Sequence, residues 1–222
     1  MNLSLIDPFL VIVLMLNFVL LGMGRLPTII AVVALQGAIL GVVYLLAHHD
    51  SSPGGEGLVS LRLLALAAAM IVMKGWVMPR MLYYAFKESQ MRGQIEPYLG
   101  LTASLLLGAI GTGVLMAVSS RLPLREEHAS HLLVPASLST VFTGLLILTT
   151  RREPLTQVAG YLVLENGIVI FGLLLVEAMP FLVEVGTLLD VFVGVFVMGI
   201  VLHHVDRQFP TLASDHLRTL KE

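Results

Sequence analysis

Residues 160–172 read GYLVLENGIVIFG, an apolar stretch with Glu165 and Asn166 near its centre. The flanking residues extend the segment from Pro154 to about residue 176, long enough to cross a hydrocarbon core about 30 Å thick at 1.5 Å per helical residue. An ionisable side chain inside such a span is costly, so it usually has a partner and a function. The stretch therefore predicts a transmembrane helix with a carboxylate near mid-membrane.

The composition of the whole chain agrees with a membrane protein. Of its 222 residues, 57% are hydrophobic and only 13% are charged, whereas a soluble domain is about 25% charged. The first apolar run lacks the basic residues that precede a cleaved signal sequence, so we expect it to remain as a helix. The absence of cysteine excludes disulfides and cysteine-ligated iron–sulfur clusters from this chain. Its net charge of −2 indicates no nucleic-acid partner.

Glycine, proline and charged residues divide the chain into seven apolar segments. We place them at 6–23, 27–47, 59–86, 98–118, 131–150, 154–176 and 179–204. The connections are short and the tail from Asp206 is polar, so no soluble domain fits. The predicted fold is an all-α integral membrane bundle of about seven transmembrane helices.

The distribution of Lys and Arg predicts the orientation, because cytoplasmic loops are enriched in these residues. An odd number of spans places the termini on opposite sides, and one side then receives nine basic residues and the other three. The nine are Arg25, Arg80, Lys87, Arg92, Arg151, Arg152, Arg207, Arg218 and Lys221, and the three are Arg62, Arg121 and Arg125. We expect a multi-pass protein of the inner (cytoplasmic) membrane with its N-terminus outside and its C-terminus in the cytoplasm.

Three charged residues are predicted near the membrane midplane. Glu165 lies about 16 Å into the sixth span and Asp190 about 16 Å into the seventh, while Lys74 lies near the middle of the third. Each costs at least about 2.5–3.5 kcal/mol at the helix centre on insertion scales. We therefore expect these side chains to face the bundle interior, where they can pair or exchange protons.

Polar neighbours extend these positions towards the membrane surfaces. Gln157 and Tyr161 precede the sixth-span carboxylate at four-residue intervals on one helical face. Glu184 and Thr187 approach the seventh-span aspartate in steps of three. Pro79 removes a backbone hydrogen bond close to the buried lysine and loosens the helix there, which would give water a place to enter.

A structural interpretation competes with this one. The buried charges could only hold helices together, and Asn166 could serve the same purpose or hold Glu165. His203 and His204 lie at the cytoplasmic boundary, where they are either interfacial residues or a proton exit. No further potential ligand lies at a sequence spacing from these two histidines that is typical of a metal site. The chain also has no P-loop, dinucleotide fingerprint or zinc-protease motif, so we expect no catalytic residue, cofactor or metal in it.

The stretches GYLVLENGIVIFGLL and LVEVGTLLDVFVGVFVMGIV together resemble the hydrogenase-4 membrane component E family. The region MKGWVMPRMLYYAF is a weaker match. These proteins are small membrane subunits of energy-converting [NiFe] hydrogenases, and the last three helices of the family are similar to the NuoK and MrpC subunits of complex I and multisubunit antiporters.

The resemblance implies a four-helix part at 1–130, a NuoK-like three-helix part at 131–205 and a cytoplasmic tail at 206–222. It also implies that Glu165 and Asp190 are stations on a proton path, the second as Asp where NuoK has Glu. The partners would be antiporter-like and quinone-channel-like membrane subunits, with the [NiFe] centre and iron–sulfur clusters in peripheral hydrogenase subunits. The chain itself would be a non-catalytic subunit of an oxidoreductase complex.

Three alternatives stay open. The chain could be the equivalent subunit of a complex-I-like or Mrp-type cation/proton antiporter assembly, because the catalytic ligands that would distinguish these complexes lie in other chains. It could be a purely structural assembly subunit whose charges lock helices together. A stand-alone transporter is disfavoured, since the sequence shows no internal repeat and no paired broken helices.

Overall fold

The structure is a computed structural model that describes residues 3–49, 57–88, 98–122, 131–175, 185–186 and 199. Within these residues it is helical, with six helical segments long and apolar enough to cross a membrane. They correspond to the first six predicted spans. The seventh, 179–204, lies almost entirely outside the described residues, and so does the tail. The membrane class and the all-helical fold are therefore confirmed, and the count of seven stays a prediction.

The helices begin and end within a few residues of the predicted boundaries. Their bounds are α1 Leu3–Gly22, α2 Leu26–His49, α3 Gly57–Val72, α4 Met78–Glu88, α5 Leu101–Ser119, α6 Leu133–Thr150 and α7 Pro154–Gly172. A π-helical turn, Met73–Val77, joins α3 to α4, so the three form one span over Leu64–Lys87. A 3₁₀ turn at Leu173–Leu175 follows α7.

The π-helical turn lies where the sequence predicts a loosened helix. The Met78 N–H bonds to the Met73 carbonyl, five residues back instead of four. Pro79 follows directly, and its ring cannot donate a backbone hydrogen bond and crowds the preceding turn. A π turn inside a longer helix is often found at functional sites. Here it contains Lys74.

Helices α6 and α7 form a closely packed antiparallel hairpin. A Cβ added to Gly144 of α6 would lie 2.5 Å from the Leu164 nitrogen, and one added to Gly167 of α7 would lie 2.6 Å from the Val141 nitrogen. Small residues allow this approach and are typical of helix contacts in membranes. The hairpin brings the glutamate of α7 to a fixed depth beside α6. The hairpin also packs against α1, α2, α4 and α5.

The buried apolar residues form two separate clusters, one in each half of the bundle. One is built around the α1–α2 and α6–α7 turns, and includes Leu21, Ile29, Leu82 and Val158. The other occupies the opposite half and includes Leu10, Tyr44, Met70 and Ile170. Five elements run from one cluster to the other: α1, α2, the span that contains α3 and α4, α6 and α7. Each has at least one buried polar residue between the two clusters. We call this set the polar layer: Asn17, Gln36, Lys74, Thr140, Glu165 and Asn166.

Candidate functional site

An ion pair lies at the centre of the polar layer. Lys74 Nζ of the π-helical turn lies 3.7 Å from Glu165 Oε2 of α7. The lysine is 4% exposed and the glutamate 3%. Two unit charges at this separation attract by about 4 kcal/mol at an effective dielectric constant of about 20. The pairing offsets the cost of placing either charge inside the membrane.

A chain of side-chain hydrogen bonds extends from this pair across the bundle. Lys74 Nζ donates to Asn166 Oδ1 at 3.4 Å, and Asn166 Nδ2 donates to Gln36 Oε1 at 3.3 Å. Gln36 Nε2 donates to Asn17 Oδ1 at 2.9 Å. Asn17 Nδ2 then donates to Thr140 Oγ1 at 2.9 Å. The polar layer thus connects five elements, in the order π turn, α7, α2, α1 and α6.

The ammonium group sets the direction of this chain. The Lys74 ammonium can only donate hydrogen bonds. The Asn166 amide must therefore accept from it with the oxygen and donate to the next residue from the nitrogen. Each following amide is oriented in the same way, and the chain ends where the Thr140 hydroxyl donates to the Ala136 carbonyl at 2.7 Å. The orientation of three amides is therefore tied to the charge on one lysine.

Close packing holds the π-helical turn against α2. A Cβ added to Gly37 would lie 2.8 Å from Lys74 Cβ and 2.9 Å from the Lys74 carbonyl oxygen. Only glycine lets the two backbones approach this closely, because any side chain would push the turn away. The small space enclosed by Lys74, Glu165, Asn166 and nearby apolar residues leaves no room for a water molecule. The ion pair is therefore closely enclosed by protein atoms.

The other predicted site residues have different outcomes. Gln157 and Tyr161 are half-buried on α7, between the polar layer and the α6–α7 turn. Gln157 Nε2 donates to the Arg151 carbonyl at 3.0 Å, and Tyr161 packs beside the nearer apolar cluster. The remaining predicted residues lie outside the described residues: Asp190, Glu184, Thr187, His203 and His204. The structure thus brings together Lys74, Glu165 and Asn166, and their roles stay predictions.

Sequence reasoning missed three members of the polar layer: Asn17, Gln36 and Thr140. The signal was present for two of them. Asn17 interrupts VLMLNFVLL and Gln36 interrupts VVALQGAIL, each near the middle of its span. The depth argument that singled out the charged residues applies to an uncharged amide as well, since its polar atoms also need partners in hydrocarbon. A threonine in a span carries no comparable signal, because its hydroxyl can bond to its own helix.

Arg151 is a second buried cation, and the sequence placed it among the loop cations. It is 0% exposed at the end of α6, where its Nη2 donates to the Leu21 carbonyl at 3.0 Å. This bond satisfies a carbonyl at the C-terminus of α1, where a cation is also favoured by the helix dipole. Burial lowers the pKa of Arg151, and the nearby Glu153 carboxylate acts in the opposite direction. The residue ties α1 to the α6–α7 hairpin.

No group of three or more His, Cys, Asp or Glu side chains in the described part of the chain could hold a metal ion. The polar layer places one carboxylate next to one amine, two groups that can each bind or release a proton.

Comparison with known proteins relates the whole chain to one protein and most of it to another. It is 30% identical to the uncharacterized protein Rv0085 of Mycobacterium tuberculosis, over 100% of this chain and 98% of that protein. It is 28% identical over 162 residues to hydrogenase-4 component E of Escherichia coli K12, covering 72% of this chain and 74% of that protein. The Shigella flexneri hydrogenase-4 component E matches equally well. No family model and no solved structure matches the chain significantly.

Proposed function

We propose that this chain, which belongs to the family of the Mycobacterium tuberculosis protein Rv0085, is a membrane subunit of a hydrogenase complex of the hydrogenase-4 type and contributes to proton translocation. The distant similarity to hydrogenase-4 component E supports the choice of complex. The buried Lys74–Glu165 ion pair is the observation that carries the choice of mechanism. The [NiFe] centre and iron–sulfur clusters belong to other chains, because this one has no cysteine thiolate to ligate them.

The ion pair acts as a switch. In the paired state Lys74 holds Glu165 in its ionised form and water is excluded. A movement of the π-helical turn separates the two groups, and the carboxylate, no longer next to the lysine charge in a low-dielectric environment, binds a proton. When the lysine returns, its charge expels that proton from the carboxylate oxygen. The direction of net transfer depends on which membrane surface is connected to Glu165 at each stage.

The rest of the proposed path follows the predicted orientation. Gln157 and Tyr161 would lead from the cytoplasmic side to Glu165, and Asp190 would be the next station, with Glu184 and Thr187 beyond it. This arrangement treats residues 131–205 as the NuoK-like part and places antiporter-like and quinone-channel-like subunits beside it. The polar layer joins that part to α1 and α2 through Gln36 and Asn17, and to the third span through Lys74, so the first three spans contribute to holding the switch.

A structural role is the second candidate, and a specific observation favours it. The hydrogen bonds of the polar layer connect five elements in one continuous chain. Such a network could serve only to select one arrangement of helices, as buried polar groups do in some proteins. The two functions differ in what happens when both charges are removed together.

The test uses the intact complex in sealed inverted membrane vesicles. Glu165→Gln keeps the shape of the side chain but cannot titrate, and it leaves Lys74 without its carboxylate. Lys74→Gln combined with Glu165→Gln removes both charges and so removes the cost of an unpaired ion. If the pair is a switch, the double variant assembles in near-normal amounts while proton uptake per assembled complex falls about a hundredfold, the lower end of the range for loss of a positioned proton-transfer group.

Two further variants sharpen the result. Glu165→Asp still titrates and should keep partial proton uptake. Thr143→Val is the matched control, since Thr143 is buried in α6 but lies outside the polar layer, and its proton uptake should equal that of the wild type. Assembly is measured by co-purification of the hydrogenase subunits. Wild-type proton uptake per complex in the double variant would refute the switch and leave the structural role.

A further inference from the structure

A groove runs along the outer surface between α2 and the span formed by the π-helical turn and α4. Its volume is about 540 Å³. Small residues line part of it, and we call this part the floor: Ala31, Ala34 and Gly75. It extends from the level of Gly75, next to the polar layer, to Lys87 at the end of the span. The groove is thus lined mostly by apolar residues and lies on the outside of the membrane-spanning segment.

A cation lies on the wall of this groove, inside the membrane-spanning segment. Arg80 is seven residues from the end of the span at Lys87, which corresponds to about 10 Å along a helix axis. Its side chain is exposed on the outside of the bundle. The guanidinium lies 5.3 Å from the centre of the Trp76 ring and 5.4 Å from that of Tyr84, and it donates to the Tyr84 hydroxyl at 3.2 Å.

These aromatic contacts do not neutralise the charge. Cation–π contacts stabilise by about 0.5–2 kcal/mol, less than the cost of a guanidinium facing lipid within a span. No carboxylate of the residues the structure describes lies within ion-pair distance of Arg80. Lys87, on the same wall, adds a second positive charge about two turns closer to the headgroups. The groove therefore pairs an apolar floor with a cationic end.

We propose that this groove binds one anionic phospholipid, with a phosphate between Arg80 and Lys87 and an acyl chain along Ala31, Ala34 and Gly75. A basic pocket between transmembrane helices near the headgroups is the kind of site that binds acidic lipids. Arginine is well suited to the phosphate because its planar group donates two parallel hydrogen bonds. The inference does not depend on the proposed function, since it rests on residues outside the polar layer.

The experiment is native mass spectrometry of the full-length chain, released from detergent after incubation with phosphatidylglycerol or with phosphatidylcholine. We expect retained phosphatidylglycerol and little retained phosphatidylcholine. Arg80→Gln should weaken phosphatidylglycerol binding about fivefold, and the Arg80→Gln, Lys87→Gln double variant about thirtyfold, as expected for the loss of one or two basic residues that contact acidic lipid. Ala31→Phe, which fills the floor and leaves both cations in place, should also reduce retention.

Arg121→Gln is the matched control, because Arg121 is an exposed arginine at the far end of α5, away from the groove. It should bind phosphatidylglycerol as the wild type does. Equal retention of the two lipids, unchanged binding in Arg80→Gln, or the same loss in Arg121→Gln would each overturn the proposal. A photo-crosslinker at Tyr83 in the intact complex gives a further check: labelling of lipid supports the proposal, and labelling of another subunit across the groove overturns it.

Discussion

The ion pair in the polar layer makes a quantitative prediction about stability. Lys74→Met keeps an unbranched side chain of similar length but removes the charge, and leaves Glu165 buried without it. Glu165→Gln removes the other charge and leaves the lysine. Because each single change leaves a buried charge without the opposite charge of its ion pair, each should lower the free energy of unfolding by about 3–5 kcal/mol.

The double variant provides the informative comparison. Removing both charges leaves no buried charge without its opposite. Replacing a buried ion pair by uncharged groups often changes the free energy of unfolding very little. The attraction of about 4 kcal/mol expected at 3.7 Å sets the scale of the coupling. We expect the double variant to lose less stability than either single variant, so that its loss is smaller than the sum of the single losses by at least about 3 kcal/mol.

The assay is unfolding of the purified chain from detergent by titration with SDS, followed by two probes. One is the fluorescence of Trp76, the single tryptophan of the chain, and the other is helical circular dichroism. Lys87→Met is the control, since it removes an exposed lysine at the end of the same span and should change stability by less than about 0.5 kcal/mol. Additive losses in the double variant would refute the pairing of Lys74 with Glu165.

Other parts of the structure lead to further predictions. Gln36→Leu removes the hydrogen bonds to the amides of Asn17 and Asn166. It should lower the free energy of unfolding, measured by the same SDS titration, by about 1–3 kcal/mol for each polar group that loses its hydrogen bond. Gly37→Ala should destabilise by about 1–3 kcal/mol because its methyl group would press on the π-helical turn, whereas Gly113→Ala meets open space and should be neutral or stabilising; equal effects would contradict the packing. Arg151→Met removes the bond that holds the end of α1 and should lower the thermal unfolding temperature. A cysteine introduced at Ser214 should be labelled by a membrane-impermeant thiol reagent only from the cytoplasmic side, and labelling from outside would reverse the predicted topology.

Some of the candidate site could be predicted from local properties of the chain. The depths of Lys74 and Glu165 follow from the boundaries of their spans and the rise of an α-helix, so their placement near mid-membrane needed no tertiary information. Pro79 indicated an irregular turn at this place, because proline disturbs the preceding turn of a helix whatever that helix packs against. Gln36 and Asn17 could have been found by the same depth argument, applied to amides as well as to charges.

The sequence by itself determined the class of protein, its first six spans and the residues that had to avoid lipid, because hydrophobicity and helix length are properties of each segment alone. Only the tertiary structure decided which of these residues meet. Lys74 and Asn166 are 92 positions apart and Asn17 and Thr140 are 123 apart, so their contacts depend on how the helices are arranged. That arrangement is set by glycines such as Gly37 and Gly144, where another helix must fit against the backbone. A glycine in the sequence permits close approach, but which helix approaches it is decided by the packing of the whole bundle.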